Sequence, residues 1–178
     1  MQDKDVKSDS SESQLKWVST YIVNKIGSEG GKNLTIINKE KLTMLIRSSR
    51  EVPQYMKRLQ NVDLVGADLS DTDLSFADLA NADLTKAKLF RANVSNANLF
   101  NAKLEGADLS NAKLISSVLV RCKMNNLICK DAIFDDAIID DDELVNYLRN
   151  NGAKNVPPAV KNKKQLELNL EQRGIKID

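Results

Sequence analysis

The chain contains no histidine, the side chain whose ordinary pKa lets it serve as acid or base near neutral pH. It also lacks a glycine-rich phosphate loop, a Walker sequence, a metal-ligand cluster and a nucleophile motif. These absences argue against an enzyme. No catalytic, cofactor-binding or metal-binding residue is assigned, and no cofactor is expected. Two cysteines, Cys122 and Cys129, are too few for a zinc site built on Cys and His, and read as core thiols. No run of residues is long and apolar enough to span a bilayer. Aromatics make up 4% of the chain, and 26 basic residues face 25 acidic ones. That balance gives no basic, aromatic-interleaved footprint, so nucleic acid is not an expected partner. Met1 to Glu12 is rich in Asp, Lys and Ser and lacks the basic and apolar pattern of a signal peptide. The segment reads as a disordered leader, and a cytoplasmic location is expected.

The chain does have a five-residue word, repeated without insertion from Val62 to Asp141. Two copies read ADLAN (Ala77 to Asn81) and ADLSN (Ala107 to Asn111). The central position recurs every five residues from Leu64 through Leu89 and Leu114 to Cys129, Phe134 and Ile139, sixteen times in all. Two residues before each centre sits a second small or apolar residue, usually alanine, from Val62 to Ala137; none of these thirty-two residues is charged. A helix turns about 100° per residue, so a step of five would spread the leucines around every side. A long strand fails as well, because its side chains repeat every two residues. The two apolar positions nevertheless lie two apart, which is strand spacing. Each word therefore reads as a short extended segment that points two side chains inward and then turns a corner. Words in series wind into a solenoid filled by leucine and alanine.

These words resemble the pentapeptide-repeat family, whose pattern of Ala, Asp or Asn, Leu and two variable residues they match over Val62 to Asp141. The resemblance implies an all-β solenoid, a right-handed quadrilateral β-helix with four words to a coil. Sixteen words then give about four coils, roughly 19 Å tall at about 4.8 Å per coil. It also implies a second reading of function, since some family members mimic DNA and bind a type II topoisomerase (DNA gyrase).

The flanks supply candidate caps, because an open solenoid end would expose a rung of unpaired backbone groups. Residues 1–13 form the leader and residues 14–60 a helical N-terminal segment, within which Leu34 to Gln60 reads as the cap. Residues 61–141 are the repeat, and residues 142–178 a C-terminal helix and tail. Asp141 or Asp142 can cap a helix carrying Leu144, Val145 and Leu148, with Asn151-Gly152 as its stop. Beyond Pro157-Pro158 the pattern is ambiguous: Leu166, Leu168 and Leu170 alternate like a strand, whereas the Lys, Gln and Glu around them favour helix.

Residues twenty apart should stack on one side of the tube. The position before each centre then gives ladders such as Asp68, Lys88, Asp108 and Asp73, Asn93, Lys113, which read as structural. Residues 61–141 carry 8 basic and 13 acidic residues, net −5, and the flanks carry 18 and 12, net +6. Outward apolar residues stand out against this polar surface. Phe100, Val118, Val120, Ile128, Ile133 and Ile138 form the candidate interaction or dimer patch. Either the chain's own C-terminal segment covers them, or a partner does, including a second copy in a homodimer through the C-terminal end. The expected function is a non-catalytic protein-interaction or scaffold module whose protein partner is unknown. The family's DNA mimicry is the alternative, although Lys86, Lys88, Arg91, Lys103 and Lys113 interrupt the acidic surface it would need.

Overall fold

Each five-residue word closes on itself through one turn. In the computed structural model, which describes residues 59–175, Ala67 N donates to Leu64 O at 3.0 Å while Gly66 sits at φ +65. A positive φ at the third of four turn residues is the signature of a type II turn. The same turn recurs at each corner from Asn61 to Asp136. Asn and Asp fill most of the left-handed positions, which they tolerate better than other side chains. Phe76, Lys86, Arg91, Ser116 and Arg121 adopt the same φ without that advantage, so the surrounding pairing must impose it. The residue before each centre braces the turn: Val65 N donates to Asp63 Oδ1 at 3.0 Å, Ser75 N to Asp73 Oδ1 at 2.9 Å and Ser110 N to Asp108 Oδ1 at 2.9 Å. This local bond explains why Asp and Asn recur at that position.

Pairing between coils sets the pitch. Asp63 pairs in parallel with Asp83, Asp83 with Lys103 and Lys103 with Lys123, and the other sides repeat the offset of twenty. Leu64 N donates to Asp83 O and Asp83 N to Val62 O, both at 2.8 Å. Four words therefore make one coil, as in the quadrilateral β-helix that pentapeptide repeats imply. We number the sides by their centres: side one holds Leu64, Leu84, Leu104 and Met124, and side two holds Leu69, Leu89, Leu109 and Cys129. Side three holds Leu74, Val94, Leu114 and Phe134, and side four holds Leu79, Leu99, Leu119 and Ile139. Two consecutive residues pair between β1 (Val118–Leu119) and β2 (Ile138–Ile139), which run parallel on side four.

The ladder extends one centre further back than the sixteen words. Leu59 is buried, its N–H donates to Asp78 O at 2.7 Å, and Asn61 N donates to Ala80 O at 2.9 Å. Lys57, two residues earlier, hides this word in the sequence because it breaks the small-residue pattern. The leader and the helical N-terminal segment, including its cap up to residue 58, lie outside the described residues.

Thirty-one of the thirty-two inward residues are buried, and the alanines from Ala82 to Ala112 are fully so. The exception is Cys122, which is half-buried, with its Sγ–H directed at Leu99 O at 2.9 Å. Burial pushes the thiols of both Cys122 and Cys129 up from their ordinary range, and a protonated thiol is a poor nucleophile. Both cysteines should therefore label slowly with a thiol reagent in the native protein and rapidly in denaturant. Fast native labelling of both, followed by mass spectrometry, would contradict this packing.

The C-terminal segment closes the tube. Helix α1 (Asp142–Asn150) starts at Asp141, whose carboxylate accepts from Glu143 N and Leu144 N; Asp142 and Glu143 occupy its first turn and Arg149 its last. That charge order suits the helix dipole. Its buried Leu144, Val145 and Leu148 join the leucine core, and Tyr147 OH donates to Leu127 O at 2.8 Å. The chain then adds a piece of a further coil on side three, where Lys154 N donates to Ala132 O and Phe134 N donates to Lys154 O. After Pro157-Pro158, helix α2 (Lys163–Glu171) forms with Asn162 as its N-cap. The helical pattern wins in the tail because Leu166 and Leu170, four apart, share one face, and that face packs on side four. Leu168 stays on the outside.

Candidate interaction groove

The outward ladders hold mostly local partners. On side one, Lys103 Nζ meets Asp83 Oδ2 at 3.0 Å. Partial burial pulls the Asp83 pKa upward, but hydrogen bonds from Thr85 and Lys103 outweigh it and hold the carboxyl below its usual range. At the corner between sides two and three, Arg91 grips Asp71 through two bonds of 2.7 and 2.9 Å. Lys154 bonds Asp131 at 2.8 Å and keeps its carboxyl low. Asn93 donates to Asp73, Asn98 to Asp78 and Asn101 to Asn81, each across one coil. Exposed pairs of this kind add little to stability, and they fix where side chains point.

The six-residue apolar set does not remain together as an open patch. Phe100, Val118, Val120 and Ile138 gather on side four, but the tail covers them. Val118, Val120 and Ile138 are buried against Leu170, with Phe100, Val160, Leu166 and Ile175 packed around them. The cover has a simple cause: side four carries Val118 and Ile138, with Val120 beside them, in two successive coils, and α2 supplies the matching leucines. Ile133 lies on side three, half-buried and paired with Lys154. Ile128, on side two, is 52% exposed, so the three isoleucines of the last coil share no common surface.

A concave feature does form beside the covered strip. Helix α2 protects only the later coils of side four, and the chain leaving it descends through Arg173, Gly174 and Ile175. These residues wall a groove of about 600 Å³ over the earlier coils. Gln60, Phe76, Ala77, Asp78, Ala80, Asn81, Asn96, Asn98 and Arg121 line the rest of it, together with Phe100 and Val118 of the apolar set. Gln60 Nε2 and Asn98 Nδ2 both donate to the Asp78 carboxylate. Arg121 lies over the Phe100 ring, its Cζ 5.3 Å from the centroid, and Arg173 Nη1 donates to Ser116 O. The ring contact and the hydrogen bond hold the two arginine side chains along the groove.

Sequence reasoning singled out none of the polar groove residues as a site. Their one signal was the corner series Asn61, Asn81, Asn101, Arg121, where a cation replaces the amide at the last step. The other wall had no signal, because it depends on where α2 docks. The volume lies within the range usual for ligand sites, about 300–1,000 Å³. Among the described residues, no cluster of Asp, Glu, Cys or His is arranged to hold a metal ion, and no helix is long and apolar enough to cross a membrane.

Coils of four words, stacked at an offset of twenty, define a β-solenoid repeat protein. A sequence model of the family Pentapeptide repeats matches residues 58–96, 67–106, 92–128 and 102–140, with eight copies, and the repeat region of the chain belongs to that family. Among solved structures, HetL from the cyanobacterium Nostoc sp. strain PCC 7120 is a pentapeptide repeat protein involved in heterocyst differentiation regulation. It is 38% identical over 47% of this chain, with a TM-score of 0.40, and this chain spans only 38% of its length. A pentapeptide repeat protein of the Arabidopsis thaliana thylakoid lumen is 23% identical over 66% of this chain and 90% of its own, with a TM-score of 0.42. QnrB1, a plasmid-mediated fluoroquinolone resistance protein, is 14% identical over 65% of this chain and 86% of its own, with a TM-score of 0.16. No curated protein matches the chain.

Proposed function

We propose that this chain is a non-catalytic protein-interaction or scaffold module that receives its partner on side four of the solenoid. The groove between the coil and the descending tail carries the reading, while on sides one and three Lys103 with Asp83 and Asn93 with Asp73 already occupy one another. A closely packed repeat holds such a surface in place before binding, which lowers the ordering cost of association. The DNA-mimic alternative has less support. Side one ends in Lys103 stacked with Lys123, and Lys88 and Lys113 break the acidic ladders of sides two and three. Purified gyrase should accordingly supercoil DNA normally in the presence of micromolar protein.

Site-specific photo-crosslinking from the source cells tests the reading. A crosslinker at Asn81 or Asn96 should capture the same protein, and one at Lys113 on side three should not. Capture only from Lys113 would move the interface to another side. Failure to capture anything from any side would remove the interaction reading.

A further inference from the structure

We infer that the side-four groove is built to take an acidic, extended peptide segment of a partner protein, with the Arg121 and Arg173 guanidinium groups as its charged walls. This deepens the interaction-module reading and rests on it. The groove residues include two arginines and one carboxylate, Asp78, so their formal sum is +2 − 1 = +1. Residues 61–141, by contrast, sum to 8 − 13 = −5. The groove is a locally positive site on a net acidic post, and charge complementarity therefore selects carboxylates.

The bonding already present sharpens the contrast. Asp78 accepts from Gln60 and Asn98, so neutral amides fill its acceptor sites while its charge stays in the sum above. Each guanidinium has five N–H donors in a planar fork suited to carboxylate oxygens. Arg173 spends one of them on Ser116 O, a bond that holds the side chain in position. Arg121 is held differently, by its backbone and its ring contact: its φ is +57, its N–H donates to Asp140 Oδ1 at 3.0 Å, and its guanidinium rests on Phe100.

The amides of Asn81 and Asn96, with the small outward Ala80 beside them, suit a peptide main chain, because they offer both donors and acceptors. One wall belongs to the tail, so the site exists only while α2 is docked through Leu166 and Leu170.

Fluorescence anisotropy with the full chain tests this, using a labelled short peptide of glutamates around one tyrosine and a control with glutamine in place of each glutamate. The glutamate peptide should bind saturably and weaken as salt rises. The control peptide should bind at least about tenfold more weakly, since a charge-assisted hydrogen bond contributes about 1.5–3 kcal/mol and 1.4 kcal/mol is a factor of ten. The double variant Arg121→Gln, Arg173→Gln should show the same loss with an unchanged melting temperature. Leu170→Asp should also lose the peptide while the solenoid's far-ultraviolet spectrum persists. Equal binding of both peptides, or undiminished binding by the double variant, overturns the proposal. Should the glutamate peptide fail to bind while crosslinkers at Asn81 and Asn96 still capture a partner, the module reading stands and the acidic specificity falls.

Discussion

Leu89→Asp should abolish cooperative folding. Leu89 is fully inside the tube, on side two between Leu69 and Leu109, and its neighbours on the inner surface are leucines and alanines. The backbone donors nearby are already committed: Leu89 N bonds Asp108 O, Arg91 N bonds Ser110 O and Ala92 N bonds Leu89 O. An aspartate there would have to be buried without a partner, or be protonated, or force the coil open. Losing the leucine alone costs about 2–5 kcal/mol, and burial of an unpaired carboxylate adds several more. The sum approaches the roughly 5–15 kcal/mol that holds a typical domain together. Leu89→Met, which roughly conserves volume, should cost less than about 1.5 kcal/mol. Urea unfolding followed by circular dichroism measures both. A Leu89→Asp protein that melts within a few degrees of the parent would mean that the side chain does not point inward.

Ending the chain at Asp141 should give the second-largest effect. Leu144, Val145, Leu148 and Val156 are buried against the core, and at about 1.5–3 kcal/mol for each buried side chain their loss removes on the order of 6–12 kcal/mol, an upper estimate. The cut also removes the Lys154 pairing that satisfies Ala132 O and Phe134 N, leaving an open rung edge of the kind that pairs with other chains. Aggregation of the truncated protein, read by light scattering, is the expected result. A chain ending at Lys161 keeps α1 and the added rung but loses α2, so it uncovers only the Val118, Val120 and Ile138 strip. It should keep its cooperative melt and self-associate weakly. If the protein ending at Asp141 stays monomeric and melts where the intact chain does, the closure of the last coil has been misjudged.

The inner face of the repeat was legible in the sequence because burial leaves a strict record: a charged residue in any of the thirty-two positions would have no partner. The outer face was legible only as register. A step of twenty placed Val118 over Ile138 correctly, but nothing local shows whether an outward valine meets water, a helix or another protein. Helix α2 illustrates the difficulty. Its three leucines fit strand and helix spacing alike, and the choice was made by the side-four strip of Val118, Val120 and Ile138, far earlier in the chain. Cys122 shows a smaller limit, since it occupies an inward position yet remains half-buried with its thiol on Leu99 O. The groove was least legible of all, because its two cationic walls come from a repeat corner and from a tail that approach each other only after folding.

The fixed offset of twenty also governs how such a chain can change length. Adding or deleting one word leaves every turn intact, yet it carries all later residues a quarter-turn around the axis. A word added between Val118 and Ile138 would take the two off a common side and split the apolar strip beneath α2, whereas one added before Val118 would turn strip and helix together and set them over a different column of the earlier coils. Only a change of four words at once preserves every column. The molecule can therefore drift freely in the identity of its outward residues while its length is quantised in whole coils, and a lineage that gains or loses a single word must find a new surface at the same moment.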